Sequence, residues 1–284
     1  MDKQDGGQLP VLGLGTWRMG EDRVQHAAEL AALRGAIGMG YRLIDTAEMY
    51  GEGGAESLVG EAIGQAMRAG DVKREELFIV SKAYPHNASR QGLPAACACS
   101  LERLGLDYLD LYLLHWRGEF ALEETVEAMR AMVDAGRIRR WGVSNLDTDD
   151  MEELAIACGG DANLDCAANQ VYFSVSERGP EFSLLPWQQA RAMPLMAYSP
   201  IDQGAVAGDA GLAKIAKRLG IGPAQLALAW VLSRPGVAAI PKAVRPAHLR
   251  ENFEAAQLQL DAETLNEIDR LHPPPGRKQP LAMI

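Results

Sequence analysis

Four side chains in this sequence, Asp45, Tyr50, Lys82 and His115, have the chemistry of a proton-transfer site. A phenol with a pKa near 10 is a poor acid at neutral pH, but a neighbouring ammonium lowers that pKa by stabilising the phenolate. Lys82 could do this for Tyr50, with Asp45 holding the lysine charged and in place. A neutral histidine could donate a second hydrogen bond to the same substrate oxygen. The set predicts protonation of a carbonyl oxygen as negative charge develops on it.

Each of these residues also has a common structural role when it is considered alone. A strand-end Asp45 could cap the following helix, His115 could be a hydrogen-bonded core histidine, and Tyr50 could be an ordinary loop aromatic. Lys82 is harder to explain in this way, because a buried ammonium almost always has a partner. The chemical interpretation therefore requires that the fold bring the four side chains together.

Short apolar segments alternate with longer amphipathic ones along the whole chain, which is typical of a parallel sheet covered by helices. Eight such alternations predict an α/β fold, a (β/α)₈ TIM barrel forming a single domain over residues 1–284, with one additional helix near the C-terminus, capped by Asp261. The predicted strands are Val11–Gly15, Arg42–Asp45, Phe78–Ser81, Leu109–His115, Trp141–Val143, Ala168–Val171, Leu195–Tyr198 and Ala238–Pro241. The predicted helices between and after them are Val24–Ile37, Ala55–Met67, Ala95–Leu104, Leu122–Ala135, Asp149–Ala157, Leu184–Ala192, Gly211–Leu219, Ala224–Ser233 and Pro246–Ala256.

Polar residues end or closely follow each predicted strand, and barrel enzymes collect their functional groups at these carboxyl ends. We therefore expect one mouth to be lined by Thr16, Asp45, Lys82, His115, Ser144, Asn145, Asn169, Gln170, Tyr198, Ser199 and Lys242. All four candidate proton-transfer residues lie at this same end of the predicted barrel. Carbonyl chemistry at such a mouth still requires a source of electrons.

No familiar cofactor motif supplies that source. Cys97 and Cys99 lie on different faces of a predicted helix, Cys158 and Cys166 lack ligand spacing, and no metal site is predicted. The "GLGTWR" segment fails the G-x-G-x-x-G fingerprint because Arg18 occupies the third glycine position. A dinucleotide would then be held by the later strand ends. The candidate contacts are Tyr198 for stacking, Ser144, Asn145 and Gln170 for a carboxamide, and Lys242, Arg245 and His248 for a phosphate at a helix N-terminus. The alternative for the three basic residues is a solvated face.

The formal net charge of −10 argues against nucleic acid as a partner. No segment has the length or composition of a signal peptide or a membrane span, so the sequence predicts a cytoplasmic protein that binds no membrane.

The motifs "GLGTW", "LIDTAEMYG", "VSK", "DYLDLYLLHW", "GRIRRWGVSN", "NQVYF", "MAYSP" and "IPKAVRPAHLRENF" resemble, in order and spacing, those of the aldo-keto reductase superfamily. Within it the chain is most similar to the bacterial methylglyoxal-reductase-like members. The resemblance implies NADP(H) as cofactor, a monomeric enzyme, and a catalytic tetrad of Asp45, Tyr50, Lys82 and His115 in which Tyr50 donates the proton.

The resemblance also implies further contacts around the barrel mouth. The cofactor contacts would fall on Gly15, Thr16, Trp17, Asp45, Ser144, Asn145, Gln170, Tyr198, Ser199, Lys242, Arg245, His248, Glu251 and Asn252. The sequence departs from the family at Ala243, where many members have Ser or Thr, and at His248, where many have Arg; Arg245 is the available substitute. The family has an N-terminal β-hairpin that closes the bottom of the barrel, and we expect only its second half here, in "GQLPVLGLG". Two explanations are open: a first methionine placed late, or a reduced hairpin.

Around the mouth, the substrate contacts are predicted to be Trp17, Tyr50, Tyr84, His115 and Trp116. The short "RGEFA" loop and the brief tail after Pro275 leave the mouth open, with aromatic edges that suit small aldehydes and α-oxoaldehydes. Two alternatives remain from the sequence alone. A class I aldolase would use Lys82 as a Schiff-base nucleophile, and a regulatory subunit would sense NADP(H) without catalysis.

Overall fold

The computed structural model describes residues 9–284, and within them eight parallel strands follow one another around a barrel. The strands are β1 Gly13–Gly15, β2 Leu43–Asp45, β3 Phe78–Ala83, β4 Leu111–Leu114, β5 Trp141–Ser144, β6 Asn169–Tyr172, β7 Leu195–Tyr198 and β8 Val237–Ala239. Parallel bridging between Leu12 and Ala239 joins the last strand to the beginning of the first. A hydrogen bond from Gly15 N to Pro241 O, 3.2 Å long, completes this seam.

Ten α-helices surround the strands in the described part of the chain. They are α1 His26–Met39, α2 Gly54–Ala69, α3 Gly92–Leu104, α4 Leu122–Asp134, α5 Thr148–Ala157, α6 Leu184–Gln189, α7 Ala210–Leu219, α8 Pro223–Leu232, α9 Pro246–Ala255 and α10 Ala262–Leu271. Helix α10 is the predicted additional helix, and the side chain of Asp261 caps it by accepting from Thr264 N. The predicted (β/α)₈ fold class is confirmed.

Local sequence explains where several of these elements begin and end. Asp147 caps α5 by accepting a hydrogen bond from Thr148 N, and the Asp150 carboxylate accepts one from Asp147 N, which completes a capping box. After α4, Gly136 takes the left-handed conformation with φ of 71°, as its place after the predicted helix indicated.

The core has two layers, one inside the barrel and one between the strands and the helices. The inner layer contains the buried apolar side chains Leu43, Phe78, Val80, Leu111, Leu113, Ala168, Met196 and Ile240. The outer layer is a larger apolar cluster in which the fully buried Trp141 and Trp230 are the bulkiest members. Burial on both faces explains why these strands read as continuous apolar segments instead of alternating ones.

Two differences from the predicted element bounds concern the candidate proton-transfer residues Lys82 and His115. Strand β3 continues to Ala83, which places Lys82 within the strand instead of after it. Strand β4 ends at Leu114, so His115 is the first residue beyond it. The predicted half-hairpin lies partly outside the described residues. From residue 9 onward, the bridge pairs Leu12 in parallel with strand β8.

In the described part of the chain, no helix is both long enough and apolar enough to cross a membrane.

Candidate active site

The side chain of Lys82 is at the centre of a buried hydrogen-bonded cluster. Its Nζ donates to Oδ2 of Asp45 at 2.8 Å, to the backbone oxygen of Thr46 at 2.9 Å and to the hydroxyl of Tyr50 at 3.2 Å. An ammonium has three N–H groups, and each has an acceptor here. Lys82 has no exposed surface. The lysine therefore joins strand β2 to the turn that carries the phenol, as the sequence analysis predicted for these three side chains.

Burial and charge act in opposite directions on these groups. Burial raises the pKa of Tyr50 above its ordinary value, and the ammonium of Lys82 only partly opposes that rise. The pKa of Lys82 is raised because Asp45 and Tyr50 outweigh the lowering effect of burial. The expected net decrease in the Tyr50 pKa was therefore wrong in direction, since desolvation of the phenolate is the stronger effect. Tyr50 is a protonated phenol whose conjugate base would form beside a fixed positive charge.

His115 is packed against Tyr50 at the end of β4. The two rings meet edge to face with centroids 5.8 Å apart. Burial, followed by the positive charge of Lys82, lowers the pKa of His115 to about 2. The imidazole is neutral at physiological pH, and a neutral ring can donate one hydrogen bond to a substrate oxygen.

Tyr50 sits on a turn with unusual backbone geometry. A short 3₁₀ segment covers Tyr50–Gly53, and Gly51, Glu52 and Gly53 all have positive φ, at 58°, 49° and 87°. Two of these three residues are glycines, which adopt this conformation without steric cost. Glu48 secures the beginning of the turn by accepting from the backbone N of Tyr84 at 2.5 Å.

A cleft of about 830 Å³ opens beside this cluster at the carboxyl ends of the strands. This volume is within the range of small-molecule and cofactor sites. Fourteen predicted site residues line it, namely Gly15, Trp17, Asp45, Tyr50, His115, Trp116, Asn145, Gln170, Tyr198, Ser199, Lys242, His248, Glu251 and Asn252. The structure thus brings together in one cavity most of the residues that the sequence placed at the barrel mouth.

The polar groups near Tyr198 form a connected network. The Tyr198 hydroxyl donates to Oδ1 of Asn145 at 2.9 Å, and Nδ2 of Asn145 donates to the backbone oxygen of His115 at 3.1 Å. Tyr172 stacks on Tyr198 with centroids 5.7 Å apart, while Tyr198 itself lines the cleft. An aromatic face flanked by an amide and a hydroxyl fits a nicotinamide ring and its carboxamide.

Backbone strain concentrates in the same region. Arg18, Asn145 and Ser199 all have positive φ, at 60°, 58° and 46°, although none is glycine. Each lies just after a strand and each lines the cleft. Strained residues of this kind persist where a functional geometry requires them.

The cleft lining also contains Lys242, which precedes helix α9, and three residues of that helix, His248 near its beginning and Glu251 and Asn252 in its middle. A cationic side chain at a helix N-terminus suits a phosphate group. The donor set fits a dinucleotide: Tyr198 could hold a nicotinamide ring and Lys242 could hold a phosphate group.

Six residues predicted for the mouth or its contacts lie away from the cleft surface. One is Asn169, which is buried and donates from Nδ2 to the backbone oxygen of Leu146 at 2.7 Å. Lys82 and Ser144 are buried behind the cleft surface, and the Thr16 hydroxyl donates to the backbone oxygen of Asp45 at 3.0 Å. Arg245 precedes α9 as an exposed residue. Tyr84 stands edge-on behind Trp116, with ring centroids 6.0 Å apart, and donates to Glu52.

Several lining residues carried no signal that sequence reasoning could use. They are Arg18, Met49, Ile201, Gln203, Gly204, Ala207, Ala224, Ile240, Met283 and Ile284. The C-terminal tail was expected to leave the mouth open, but its residues Met283 and Ile284 line the cleft. Lys278 holds the tail in place by donating to Asp149 at 2.8 Å. That contact joins positions far apart in the sequence, which no local pattern reveals.

Comparison with known proteins shows the family to which the chain belongs. The model of the Aldo/keto reductase family matches residues 11–273, so the chain belongs to that family. The family and enzyme class predicted from the sequence are confirmed.

Among individual relatives, the chain is 49% identical to methylglyoxal reductase YeaE of Escherichia coli (strain K12), over 97% of this chain and 95% of that protein. It is 34% identical to glyoxal reductase of Bacillus subtilis (strain 168), over 94% of this chain and 91% of that protein. A solved aldo/keto reductase from Klebsiella pneumoniae in complex with NADP and acetate superposes with a TM-score of 0.91 at 47% identity. The match covers 97% of this chain and 96% of that one.

Proposed function

We propose that the protein uses NADPH to reduce small aldehydes and α-oxoaldehydes to alcohols, with Tyr50 as the proton donor. The observation that carries this proposal is the Lys82 ammonium, which contacts both Asp45 and the Tyr50 hydroxyl beside His115. The names of the Escherichia coli and Bacillus subtilis relatives support small dicarbonyl substrates. The Klebsiella pneumoniae structures in complex with NADP and with NADPH support the cofactor.

The residues of the chain have distinct parts in this reaction. A carbonyl oxygen placed at Tyr50 and His115 accepts hydrogen bonds from both, which polarises the carbonyl carbon. NADPH, when bound, supplies the hydride that the carbon accepts. As charge grows on the oxygen, the Tyr50 hydroxyl transfers its proton to it. The phenolate that remains is stabilised by the Lys82 ammonium 3.2 Å away.

The aldolase alternative is disfavoured by the surroundings of Lys82. A Schiff-base nucleophile must present an unprotonated amine to the substrate. Here the pKa of Lys82 is raised, its three N–H groups all have acceptors, and it has no exposed surface. A purely regulatory subunit would not need the Asp45–Lys82–Tyr50 cluster, which supports catalysis over sensing.

The walls beside Tyr50 favour small substrates. Trp17, Met49 and Trp116 line this part of the cleft, and they offer apolar surface with few hydrogen-bonding groups. Such walls hold a compact carbonyl compound against the catalytic cluster and give little recognition to a large polar one. The monomeric state and cytoplasmic location remain predictions.

The test is oxidation of NADPH and NADH by the purified protein, measured with methylglyoxal, glyoxal, simple aldehydes, ketones and sugars. We expect the highest kcat/KM with NADPH and α-oxoaldehydes. Tyr50→Phe should lower kcat by about 10²- to 10⁴-fold while the Kd for NADPH changes little. Wild-type turnover in Tyr50→Phe would refute Tyr50 as the donor, and no turnover of any carbonyl compound would refute the reductase activity.

A further inference from the structure

A second buried carboxylate, Glu56, lies beside the catalytic cluster without belonging to it. It is in the first turn of α2, shortly after the Tyr50 turn, and it has no exposed surface. Its Oε1 accepts from the Ser81 hydroxyl at 2.5 Å, and its Oε2 accepts from Nε of Arg103 at 2.6 Å. Neither the cleft lining nor the Lys82 hydrogen bonds include Glu56.

The contact with Ser81 connects Glu56 to the catalytic lysine. Ser81 immediately precedes Lys82 in strand β3, and neighbouring side chains of a strand point to opposite faces. Lys82 reaches Asp45 in the barrel interior, so Ser81 faces the helices, where Glu56 meets it. Glu56 therefore fixes α2 onto the strand that carries the ammonium.

The contact with Arg103 connects Glu56 to the turn that carries the phenol. Arg103 is on α3, and its side chain lies directly against Gly53, the last residue of the Tyr50 turn. A Cβ atom on Gly53 would be only 2.4 Å from Cδ of Arg103. The arginine, held by Glu56, therefore forms a wall behind the left-handed end of the turn.

The two ends of the Tyr50 turn are thus secured differently. Glu48 anchors its beginning through the backbone N of Tyr84. Glu56 and Arg103 support its end from the outer side of the barrel. Within the turn Glu52 has a positive φ although it is not a glycine, and a strained residue of this kind persists only where surrounding contacts hold it.

A largely buried salt bridge such as that between Glu56 and Arg103 is a weak source of stability, because the cost of desolvating the pair offsets much of its attraction. A role in geometry gives a better account of its presence here. We propose that Glu56, together with Ser81 and Arg103, is a positioning cluster that sets the distance between the Tyr50 hydroxyl and the Lys82 ammonium. The inference deepens the proposed function and rests on it, since it assigns to Glu56 an effect that is transmitted through Tyr50.

The principal test compares Glu56→Gln with a matched control, Asp110→Asn. Asp110 also accepts from an arginine and a second donor, namely Nη2 of Arg74 and the backbone N of Ile79, both at 2.8 Å, but it precedes β4 at the other end of the barrel. The readout is kcat per NADPH-binding site, with the number of sites counted by fluorescence titration. This normalisation removes any loss that is caused by unfolded protein.

We expect Glu56→Gln to lower kcat per site by about 10- to 100-fold, because small misplacements of a reacting group are costly. The Kd for NADPH should remain close to that of the wild type. Asp110→Asn should keep the wild-type kcat per site even if it loses stability. Equal kcat per site in all three proteins would overturn the proposal.

A second measurement asks whether Glu56 acts through Tyr50. Effects transmitted through one residue do not add, so Glu56→Gln should change kcat little in a Tyr50→Phe background. A full additional decrease in that background would contradict the proposal. If Glu56→Gln does not fold, Ser81→Ala and Arg103→Met test the same cluster by the same readouts.

The outcomes distinguish failure of the proposed function from failure of the positioning role. Wild-type kcat in Tyr50→Phe would show that Tyr50 is not the proton donor, and the positioning role would then have no basis. A lowered kcat in Tyr50→Phe together with a wild-type kcat per site in Glu56→Gln would refute only the positioning role.

Discussion

The side-chain amide of Gln170 donates to Oδ1 of Asp45 at 2.7 Å, which links the proposed cofactor contacts directly to the Asp45–Lys82–Tyr50 cluster. Because Lys82 donates to the other carboxylate oxygen, both oxygens of Asp45 have partners. Gln170 was expected to contact a nicotinamide carboxamide. The structure shows a second contact for Gln170, with Asp45, the carboxylate that also accepts from Lys82.

The first prediction follows from this contact. Gln170→Leu leaves Oδ1 of Asp45 without its partner, and an unsatisfied buried acceptor costs about 1–3 kcal/mol of folding free energy. We expect weaker NADPH binding and a lower kcat in addition to this loss of stability. Urea unfolding, NADPH fluorescence titration and steady-state kinetics measure the three effects.

Gln188→Leu is the matched control for that variant. Gln188 is also fully buried and donates to the backbone oxygen of Pro194 at 3.0 Å, but it does not line the cleft. It should lose a similar amount of stability with an unchanged Kd for NADPH. An unchanged Kd and kcat in Gln170→Leu would exclude the proposed role of Gln170.

The second prediction concerns the buried pair of Lys82 and Asp45. Lys82→Met leaves the Asp45 carboxylate buried without its ammonium, and breaking a buried pair in this way costs about 3–5 kcal/mol. Adding Asp45→Asn removes the unpaired charge, so the double variant should be more stable than Lys82→Met alone. Urea unfolding of the wild type, Lys82→Met, Asp45→Asn and the double variant measures this coupling. A double variant that is less stable than Lys82→Met would contradict the charge explanation.

The third prediction uses the neutral state of His115. Its pKa is lowered to about 2, below the ordinary value of 6.5, because burial and Lys82 disfavour the imidazolium. Below pH 6.5 the unfolded chain binds a proton at this position and the folded protein does not. This group therefore contributes a loss of stability as the pH falls from 6.5 toward 2, and no change above 6.5.

His115→Gln has no titratable group at this position and serves as the reference. Between pH 6.5 and pH 4.5 the wild type should lose more stability than the variant, by up to about 1.4 kcal/mol for each pH unit. Urea unfolding at several pH values gives the difference. Parallel losses in the two proteins would show that His115 titrates normally.

The fourth prediction concerns the support of the Tyr50 turn by Gly20. Gly20 has a φ of 73°, and a Cβ there would be 2.4 Å from the backbone carbon of Gly54 at the start of α2. Gly20→Ala must therefore displace the end of the Tyr50 turn. We expect a lower kcat as well as a loss of stability greater than the 1–2 kcal/mol, roughly, of left-handed strain alone.

Gly70→Ala isolates the strain component. Gly70 has a similar φ of 79°, and no atom lies within 4 Å of the Cβ position. This variant should lose about 1–2 kcal/mol of stability while keeping the wild-type kcat. Equal kinetics in the two alanine variants would mean that Gly20 does not support the turn.

The sequence was sufficient for the barrel and for most of the polar residues at the strand ends because both depend on local patterns. Apolar segments ending in polar residues located Asp45, Lys82 and His115, and parallel strands necessarily bring such ends together. The direction of the Tyr50 pKa shift was beyond this reasoning, because it depends on how completely the fold excludes water from the phenol. The Gln170–Asp45 contact was also hidden, since two strands that are not neighbours approach across the barrel interior.

The seam between β8 and β1 joins two of the shortest strands, of three residues each, and residues on both sides of it line the cleft. Gly15 lies on one side of that seam, and Lys242 follows the strand on the other side. A dinucleotide bound in the cleft would therefore contact both sides of the joint where the barrel closes, and would hold the first and last strands together. Parting the first and last strands would first require its release, so saturation with cofactor should protect the backbone amides of this joint from hydrogen exchange.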